Sequence, residues 1–275
     1  MLINQKPNLG FGNVPCTHKK IQIKHSVPII GLVFCIITFA LSGCELFNRK
    51  YRPSFEHGYS MGTGWGSVGT EISEFKDPYG SDIDVDNNLI YVADCKNDRI
   101  QIFTLDGVYV KSIGEPGTGM GQLDGPADVK VGLNDYIYVV EEYNHRIQVF
   151  EADGTHRAFI GSMGAGEGEF SYPLGVALDS IGNIYVADYR NDRIQKFSAD
   201  GQFLMKWGTR GDGDGEFNGP YYIEIDKKDN LFVVDRNNNR IQKFDNNGIY
   251  ISKWGRNGGD GSPGTGVGEF NYPHE

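Results

Sequence analysis

The chain has 275 residues, 39% of them hydrophobic, and a formal net charge of -10, which is enough apolar material for one large domain or two small ones. Its 38 Gly, 15 Tyr and 16 Phe suit aromatic strands joined by tight turns and disfavour an all-helical domain. The acidic balance lacks the basic footprint that recognition of a phosphate backbone needs, so no nucleic-acid partner is expected.

Residues 1–43 contain no Asp or Glu but place Lys6, Lys19, Lys20 and Lys24 ahead of the apolar run VPIIGLVFCIITFAL at 27–41. A basic segment before a short apolar run reads as an export signal, and the run falls short of the ~20 residues a membrane-spanning helix needs. Leu41, Ser42, Gly43 and Cys44 resemble the lipobox of bacterial lipoproteins. That resemblance implies a signal peptide at 1–43 and a Cys44 that carries lipid, palmitate included, as the first mature residue. A plain secretory signal and an uncleaved anchor remain the alternatives. In relatives of this pattern an Asp after the Cys marks inner-membrane retention; Glu45 stands here, so the expected location is the bacterial cell envelope, lipid-anchored at the outer membrane. Loss of the leader leaves 22 basic against 36 acidic residues, a net -14 that repels anionic surfaces. It also removes Cys16 and Cys35, so Cys95 is left without an intrachain partner and reads as a turn residue rather than a reactive thiol.

Residues 44–66 form the lipidated N-terminal segment, and within it 59–66, YSMGTGWG, resembles the end of a repeat unit such as FLMKWG. This stretch is a candidate ring-closing strand that would cover an exposed sheet edge. From 67 to 275 the dominant signal is internal repetition. VADCKNDRIQIF, VVEEYNHRIQVF, VADYRNDRIQKF and VVDRNNNRIQKF place Arg99, Arg146, Arg193 and Arg240 at intervals of 47. Asp94, Glu141, Asp188 and Asp235 keep the same interval, as do Gly114, Gly161, Gly208 and Gly255. Pro78, Pro126, Pro173, Pro220 and Pro273 open the units at intervals of 48, 47, 47 and 53. Within the third unit the alternation of Val, Ile, Tyr and Phe predicts strands at 175–178, 183–187, 193–197 and 202–207, separated by turn sequences such as DSIGN and ADG. Four antiparallel strands per 47 residues fit one propeller blade.

These units resemble the NHL repeat family: P-x-G-[VI]-x-[VL]-D, then G-N-I-Y-V-A-D, then N-x-R-I-Q-K-F, a D-G turn and a W-G or I-G close. The resemblance spans 75–273 and implies an all-β, six-bladed β-propeller, incomplete in this chain, with four full blades and the start of a fifth. The fragment GVGEFNYPHE stops where an inner strand should begin, so truncation at the C-terminus is expected. The family fold serves protein binding, RNA binding and amidating lyase chemistry, and membership selects none of these.

Each acidic residue precedes its Arg by five positions, pairing Asp94 with Arg99, Glu141 with Arg146, Asp188 with Arg193, and Asp235 with Arg240. Recurrence in every unit favours a structural role, because an active site needs unlike groups converging once; Asn97, Asn144, Asn191 and Asn238 fit the same turns. Asp86, Asp179 and Asp226 are read near the exits of inner strands, with Gly132 breaking the ring. Calcium is considered at DIDVDNN (82–88) and at GDGDGE (211–216), neither of which has EF-hand spacing. Zinc is considered because an amidating-lyase resemblance implies several His ligands on different blades, but His57, His145, His156 and His274 show no ligand spacing and no residue-by-residue match. No catalytic, metal or cofactor residue is therefore assigned. The expected function is a membrane-anchored, extracytoplasmic scaffold that binds a protein, peptide or glycan, with the linkers 115–121 and 165–169 as candidate contacts. The alternative is a metal-dependent periplasmic propeller enzyme, lyase-like or a lactonase-like hydrolase.

Overall fold

The computed structural model describes residues 65–274; the leader, Cys44 and residues 59–64 of the candidate closing strand lie outside the described residues. Strands broken every five or six residues by Asp, Asn and Gly turns assemble into four antiparallel sheets of four strands, each in sequential order. Blade 1 contains Pro78–Asp84, Leu89–Asp94, Arg99–Thr104 and Tyr109–Ile113. Blade 2 contains Pro126–Val131, Ile137–Glu141, Arg146–Phe150 and His156–Ile160. Blade 3 contains Pro173–Leu178, Ile184–Asp188, Arg193–Phe197 and Phe203–Trp207, each end within two residues of its predicted place. Blade 4 contains Pro220–Ile225, Leu231–Asp235, Arg240–Phe244 and Tyr250–Gly255. The chain is thus an all-β, partial propeller of four blades. Beyond Gly255 the next linker forms, with Gly264 N donating to Phe270 O at 2.8 Å as Gly211 N does to Phe217 O at 3.0 Å, and no further strand follows among the described residues.

Register sorts the loops onto two faces. Pro78 pairs with Asp94, Asp94 with Arg99, and Ile100 with Ile113, so the inner-strand start, the turn after the second strand and the end of the outer strand share one face. We call this the entry face. It carries the interblade linkers and the turns Cys95–Asn97, Tyr189–Asn191 and Arg236–Asn238. The two hairpins of each blade lie on the opposite, exit face. Among the described residues no helix is long and apolar enough to cross a membrane.

The core lies between blades instead of inside one. Ile100, Ile113, Leu123, Val139 and Phe150 bury together between blades 1 and 2; Ile147, Ile160, Phe170, Val186 and Phe197 between 2 and 3; Ile194, Phe217, Ile223 and Phe244 between 3 and 4. Each layer stacks one Phe from a third strand on the last apolar residue of the preceding outer strand. That residue sits over a hairpin glycine: a Cβ on Gly154 would come 2.5 Å from Ile113, and one on Gly248 would come 2.7 Å from Trp207. Positive φ and close approach both reserve these positions for Gly. Trp65 occupies the same place before blade 1, with its ring 4.3 Å from Phe103 and its indole 2.4 Å from a Cβ on Gly107. Trp65 therefore packs as the end of a preceding outer strand. Trp254, its counterpart after blade 4, is 43% exposed and stacks on Phe232 of its own blade.

Phe197 is fully buried between two blades, so Phe197→Ala removes ring contacts with Phe170 and Phe203 and leaves a cavity. The expected cost is about 3–5 kcal/mol. A urea midpoint close to that of the native chain would contradict interblade packing as the source of stability.

Candidate functional site

The repeated acidic and arginine positions sit where the second strand turns into the third, and blade 3 shows the arrangement. Buried Asp188 accepts from Arg193 Nε at 2.8 Å, Asn191 Nδ2 at 2.8 Å, Gln195 Nε2 at 3.1 Å and Ser171 N at 2.7 Å. The guanidinium then donates to the carbonyls of Ala165, Gly166 and Glu169 at 2.7–2.8 Å. Gln195 completes the clamp, donating to Glu169 O at 2.7 Å and accepting from Gly168 N at 3.0 Å. Burial pushes the Asp188 and Asp235 carboxyls up, against the donors and the Arg that favour their charge.

The other blades copy this clamp. Arg240 pairs with Asp235 at 2.7 Å and reaches the carbonyls of Asp212, Gly213 and Glu216. Arg146 pairs with Glu141 at 2.6 Å and reaches Thr118 and Gln122, and Arg99 pairs with Asp94 at 2.8 Å and reaches Glu71 and Glu74. Asn97, Asn144 and Asn238 bond the carbonyls of Gly69, Gly117 and Gly211. The linkers 115–121 and 165–169 are therefore held from beneath, with the carbonyls of Thr118, Gly119, Ala165, Gly166 and Glu169 accepting from an arginine. GDGDGE is consumed likewise: its carbonyls face Arg240, Gly213 N bonds Glu216 Oε2 at 2.9 Å, and Asp214 pairs with Lys253 at 2.9 Å.

The acidic residues near the strand exits are turn residues. The position six after each blade Pro is Asp84, Gly132, Asp179 and Asp226, so Asp84 takes the place assigned to Asp86, which is exposed in the hairpin. Asp84 accepts from Asn87 N and Nδ2, Asp179 from Asn183 and Tyr185, and Asp226 from Lys228 and Asn230, which spends these carboxylates on their own hairpins. The same hairpin bonds hold the Asp226 carboxyl down at about 2, against the burial that would raise it. Among the described residues no group of three or more His, Cys, Asp or Glu is placed to hold a metal ion. His145 Nδ1 accepts from Tyr172 N at 3.0 Å, the bond that Asp98, Asp192 and Asn239 make to Gly125, Gly219 and Tyr272. His156 bonds Gln148 at 2.8 Å, and His57 lies outside the described residues. Buried Cys95 has its thiol pushed up to about 12, by burial first and then by Glu142, Asp98 and Asp77.

Unlike groups do meet in two places that the repeats hide. The first is the axis. Four residues after each blade Pro stand Asp82, Lys130, Ala177 and Glu224. Lys130 passes the small Ala177 to reach blade 4, with Nζ 2.5 Å from Glu224 Oε1, 3.3 Å from the Tyr222 hydroxyl and 3.9 Å from Asp82. Burial opposes its charge, but Tyr222, Glu224, Asp128 and Asp82 outweigh this and hold its pKa well above the ordinary lysine range. Burial raises Asp82 despite the nearby ammonium.

The second is a belt of tyrosine and arginine around the inner part of the entry face. Tyr143 packs edge-on to Tyr172, Arg190 stacks 3.8 Å from the Tyr172 ring, Tyr189 meets Tyr221 edge-on, and Arg236 lies 5.2 Å from Tyr221 and 5.4 Å from Tyr272. Burial first, and then the neighbouring Tyr79 of blade 1, raises the phenol of Tyr221 of blade 4. Burial also raises Glu142, partly offset by Arg190. The signal in the sequence was substitution within the unit: the turn position opposite each Pro reads Cys95, Glu142, Tyr189 and Arg236. Tyr79, Tyr143, Arg190 and Tyr272 are exposed and the other members half-buried, a surface of rings and guanidinium planes that can stack on flat ligand faces and pair with carboxylates or hydroxyls.

A family model described as a 6-bladed beta-propeller matches this chain twice, over residues 123–204 and 178–256, and an NHL repeat model matches 81–103. No curated protein matches. Among solved structures, a streptogramin B lyase aligns with a TM-score of 0.50 at 20% identity over 63% of this chain and 53% of that chain. A virginiamycin B lyase from Staphylococcus aureus aligns at 0.50 and 17% over 63% and 54%, and the hydrazine synthase of Kuenenia stuttgartiensis at 0.51 and 14% over 71% and 52%. The chain spans about half the length of each, and at these identities the likeness is one of fold.

Two outcomes follow from the geometry. Arg193→Ala leaves Asp188 buried without its cation and removes one donor from each of three linker carbonyls, so unfolding free energy should fall by about 3–5 kcal/mol while any binding on the entry face changes little. Thermal melts beside a binding titration separate the two, and lost binding at an unchanged melting temperature contradicts the structural role. Burial and Arg190 lower the His145 pKa, so the folded chain binds its proton less readily than the unfolded chain does. The stability this bond provides is whole above the unfolded value of about 6.5 and is lost as pH falls through the lower folded value. His145→Asn, which copies Asn239, should flatten that part of the stability profile; an identical slope in both proteins refutes the assignment.

Proposed function

We propose that this chain is part of an extracytoplasmic, lipid-anchored propeller that binds a peptide, protein or glycan on its entry face. The observation that carries the reading is the contrast between two sets of residues. The Asp, Asn, Arg and Gln of every unit are spent on holding linkers, whereas the residues that differ between units gather as one tyrosine and arginine belt on a single face. Rigid blades supporting variable side chains give a binding surface low ordering cost. Cys44 as the lipid site, the outer membrane as its location, and the absence of a nucleic-acid partner rest on the leader and on the net charge of -14 that its removal leaves.

The fold likeness to two lyases supports the enzymatic alternative more directly than it supports a scaffold. The axial meeting of Lys130, Tyr222, Glu224 and Asp82 is the constellation of unlike groups such an enzyme would need. A metal-dependent version would draw ligands from outside the described residues, since those described form no metal group. Metal analysis of the purified chain discriminates: stoichiometric zinc or calcium favours the enzyme.

The binding reading is tested by probing peptide and glycan arrays with the native chain and with Tyr143→Ala/Arg236→Ala. The double variant should lose its array signal while Asp86→Asn on the exit face keeps it; the opposite pattern rejects the entry face. Cys44→Ser should move the chain from the membrane fraction to the soluble fraction and abolish labelling by a palmitate analogue, and unchanged partition would remove the lipid anchor from the proposal.

A further inference from the structure

Where blades 3 and 4 meet on the entry face there is a cavity of about 320 Å³, and it exists because this junction departs from the repeat. Its floor is Gly219, whose counterpart between blades 2 and 3 is Tyr172, with Arg190 stacked on its ring at 3.8 Å. Between blades 1 and 2 the counterpart is also a glycine, Gly125, but the Tyr143 ring closes over it and would lie 2.5 Å from an added Cβ. Asn237 stands where Tyr143 stood, and its amide and the Tyr189 ring, each 2.7 Å from a Cβ added to Gly219, wall the cavity beside that floor. At this junction an amide therefore replaces the phenol ring that Tyr143 places over Gly125.

The same junction adds charge. Arg210 takes a linker position that holds Val68, Pro116 and Met163 in the preceding linkers, and its side chain is 77% exposed. Arg190 lines the cavity from the blade 3 turn. Asp192 is bound on one side by Gly219 N at 2.7 Å and lies 3.5 Å from Arg210 Nη1, so the guanidinium is braced and keeps other donors free. The amides of Asn218 and Asn237, 3.4 Å apart, and the ring of Tyr189 complete the wall.

We propose that this cavity binds a hexuronate residue of an acidic oligosaccharide, with its carboxylate on Arg190 and Arg210 and its hydroxyls on Asn218, Asn237 and Asp192. Two guanidiniums match a carboxylate, and amides that donate and accept, beside a carboxylate that accepts, match vicinal hydroxyls. No aliphatic side chain lines the space, and its walls are turns, so it offers neither the apolar pocket nor the strand edge by which peptides are held. The positive pair works against a chain of net charge -10, so binding should be local and weakened by salt. This inference rests on the entry-face binding reading and narrows its ligand class.

The test is calorimetry of the full chain with trigalacturonate and with triglucuronate, beside their carboxyl-reduced, neutral counterparts. One acidic trimer should bind, and its neutral form should bind at least roughly tenfold more weakly, the loss of a charge-assisted contact. Arg210→Ala should cost about tenfold and Arg210→Lys less. Asn237→Tyr, which closes the space as Tyr143 does over Gly125, should abolish binding with the melting temperature retained. Equal affinity for acidic and neutral trimers, binding indifferent to Arg210 and Asn237, or no binding of either acidic trimer overturns the proposal. A peptide with a free C-terminal carboxylate that binds in place of both trimers overturns it as well. If array binding through Tyr143 and Arg236 survives any of these outcomes, the entry-face reading stands and only the hexuronate assignment falls; if array binding is absent too, both fall.

Discussion

The architecture depends on a guanidinium that is surrounded by one carboxylate and three backbone carbonyls. A linker that leaves an outer strand and returns to the axis has to bury peptide carbonyls that no sheet can pair, and an unpaired buried carbonyl costs as much as a lost hydrogen bond. Arg193 meets three of them at once, and Asp188 neutralises the charge that would otherwise be stranded in the interior. The cost of desolvating the pair is visible in the upward shift of Asp188, and the return is geometric: the linker is fixed at one height relative to the blade. Because Phe170 lies at the end of the same linker and fills the layer between blades, the clamp also sets where the apolar contact falls.

The repeat and its exceptions divide the work. Positions used by the clamp cannot vary without freeing buried charge, so variation is driven to the turn before Asn97, Asn144, Asn191 and Asn238 and to the residues beside each blade Pro. Those positions share the entry face. Cys95, Glu142, Tyr189 and Arg236 occupy one place in four units, with four chemistries. The axial position follows the same logic: Asp82, Lys130, Ala177 and Glu224 differ from blade to blade, and Lys130 pairs with both Glu224 and Asp82.

How much of this was legible in the sequence depends on distance along the chain. The period of 47 located the third strand of blade 3 at 193–197 without error, because the Arg that starts it and the Phe that ends it both recur. The pairing of Asp188 with Arg193 needed only a five-residue spacing across one turn. The partners of the guanidinium were out of reach: Ala165 and Gly166 lie 28 and 27 residues away, in a linker that read as a candidate ligand contact. Asp86 was read near a strand exit, but counting from Pro78 puts Asp84 there, two residues earlier. The belt was hidden for a different reason. Tyr79 and Tyr221 touch only because inner strands of separate blades converge on one axis, and no periodicity within a unit encodes that meeting.

The two faces are chemically unequal, and this bears on where a ligand can bind. On the exit face the Asp side chains are turned back onto their own hairpins: Asp179 serves Asn183 and Tyr185, and Asp226 serves Asn230. A ligand arriving there would compete with bonds that shape the turns. On the entry face the backbone is already satisfied from below by the arginine clamp, so the rings and guanidiniums above it carry no duty to the fold beyond packing on one another. Stacked Tyr and Arg planes lose little rotamer freedom when a third plane is added, which keeps the entropic cost of binding low. The clamp that makes every unit alike beneath the surface is thus what permits the units to differ on it.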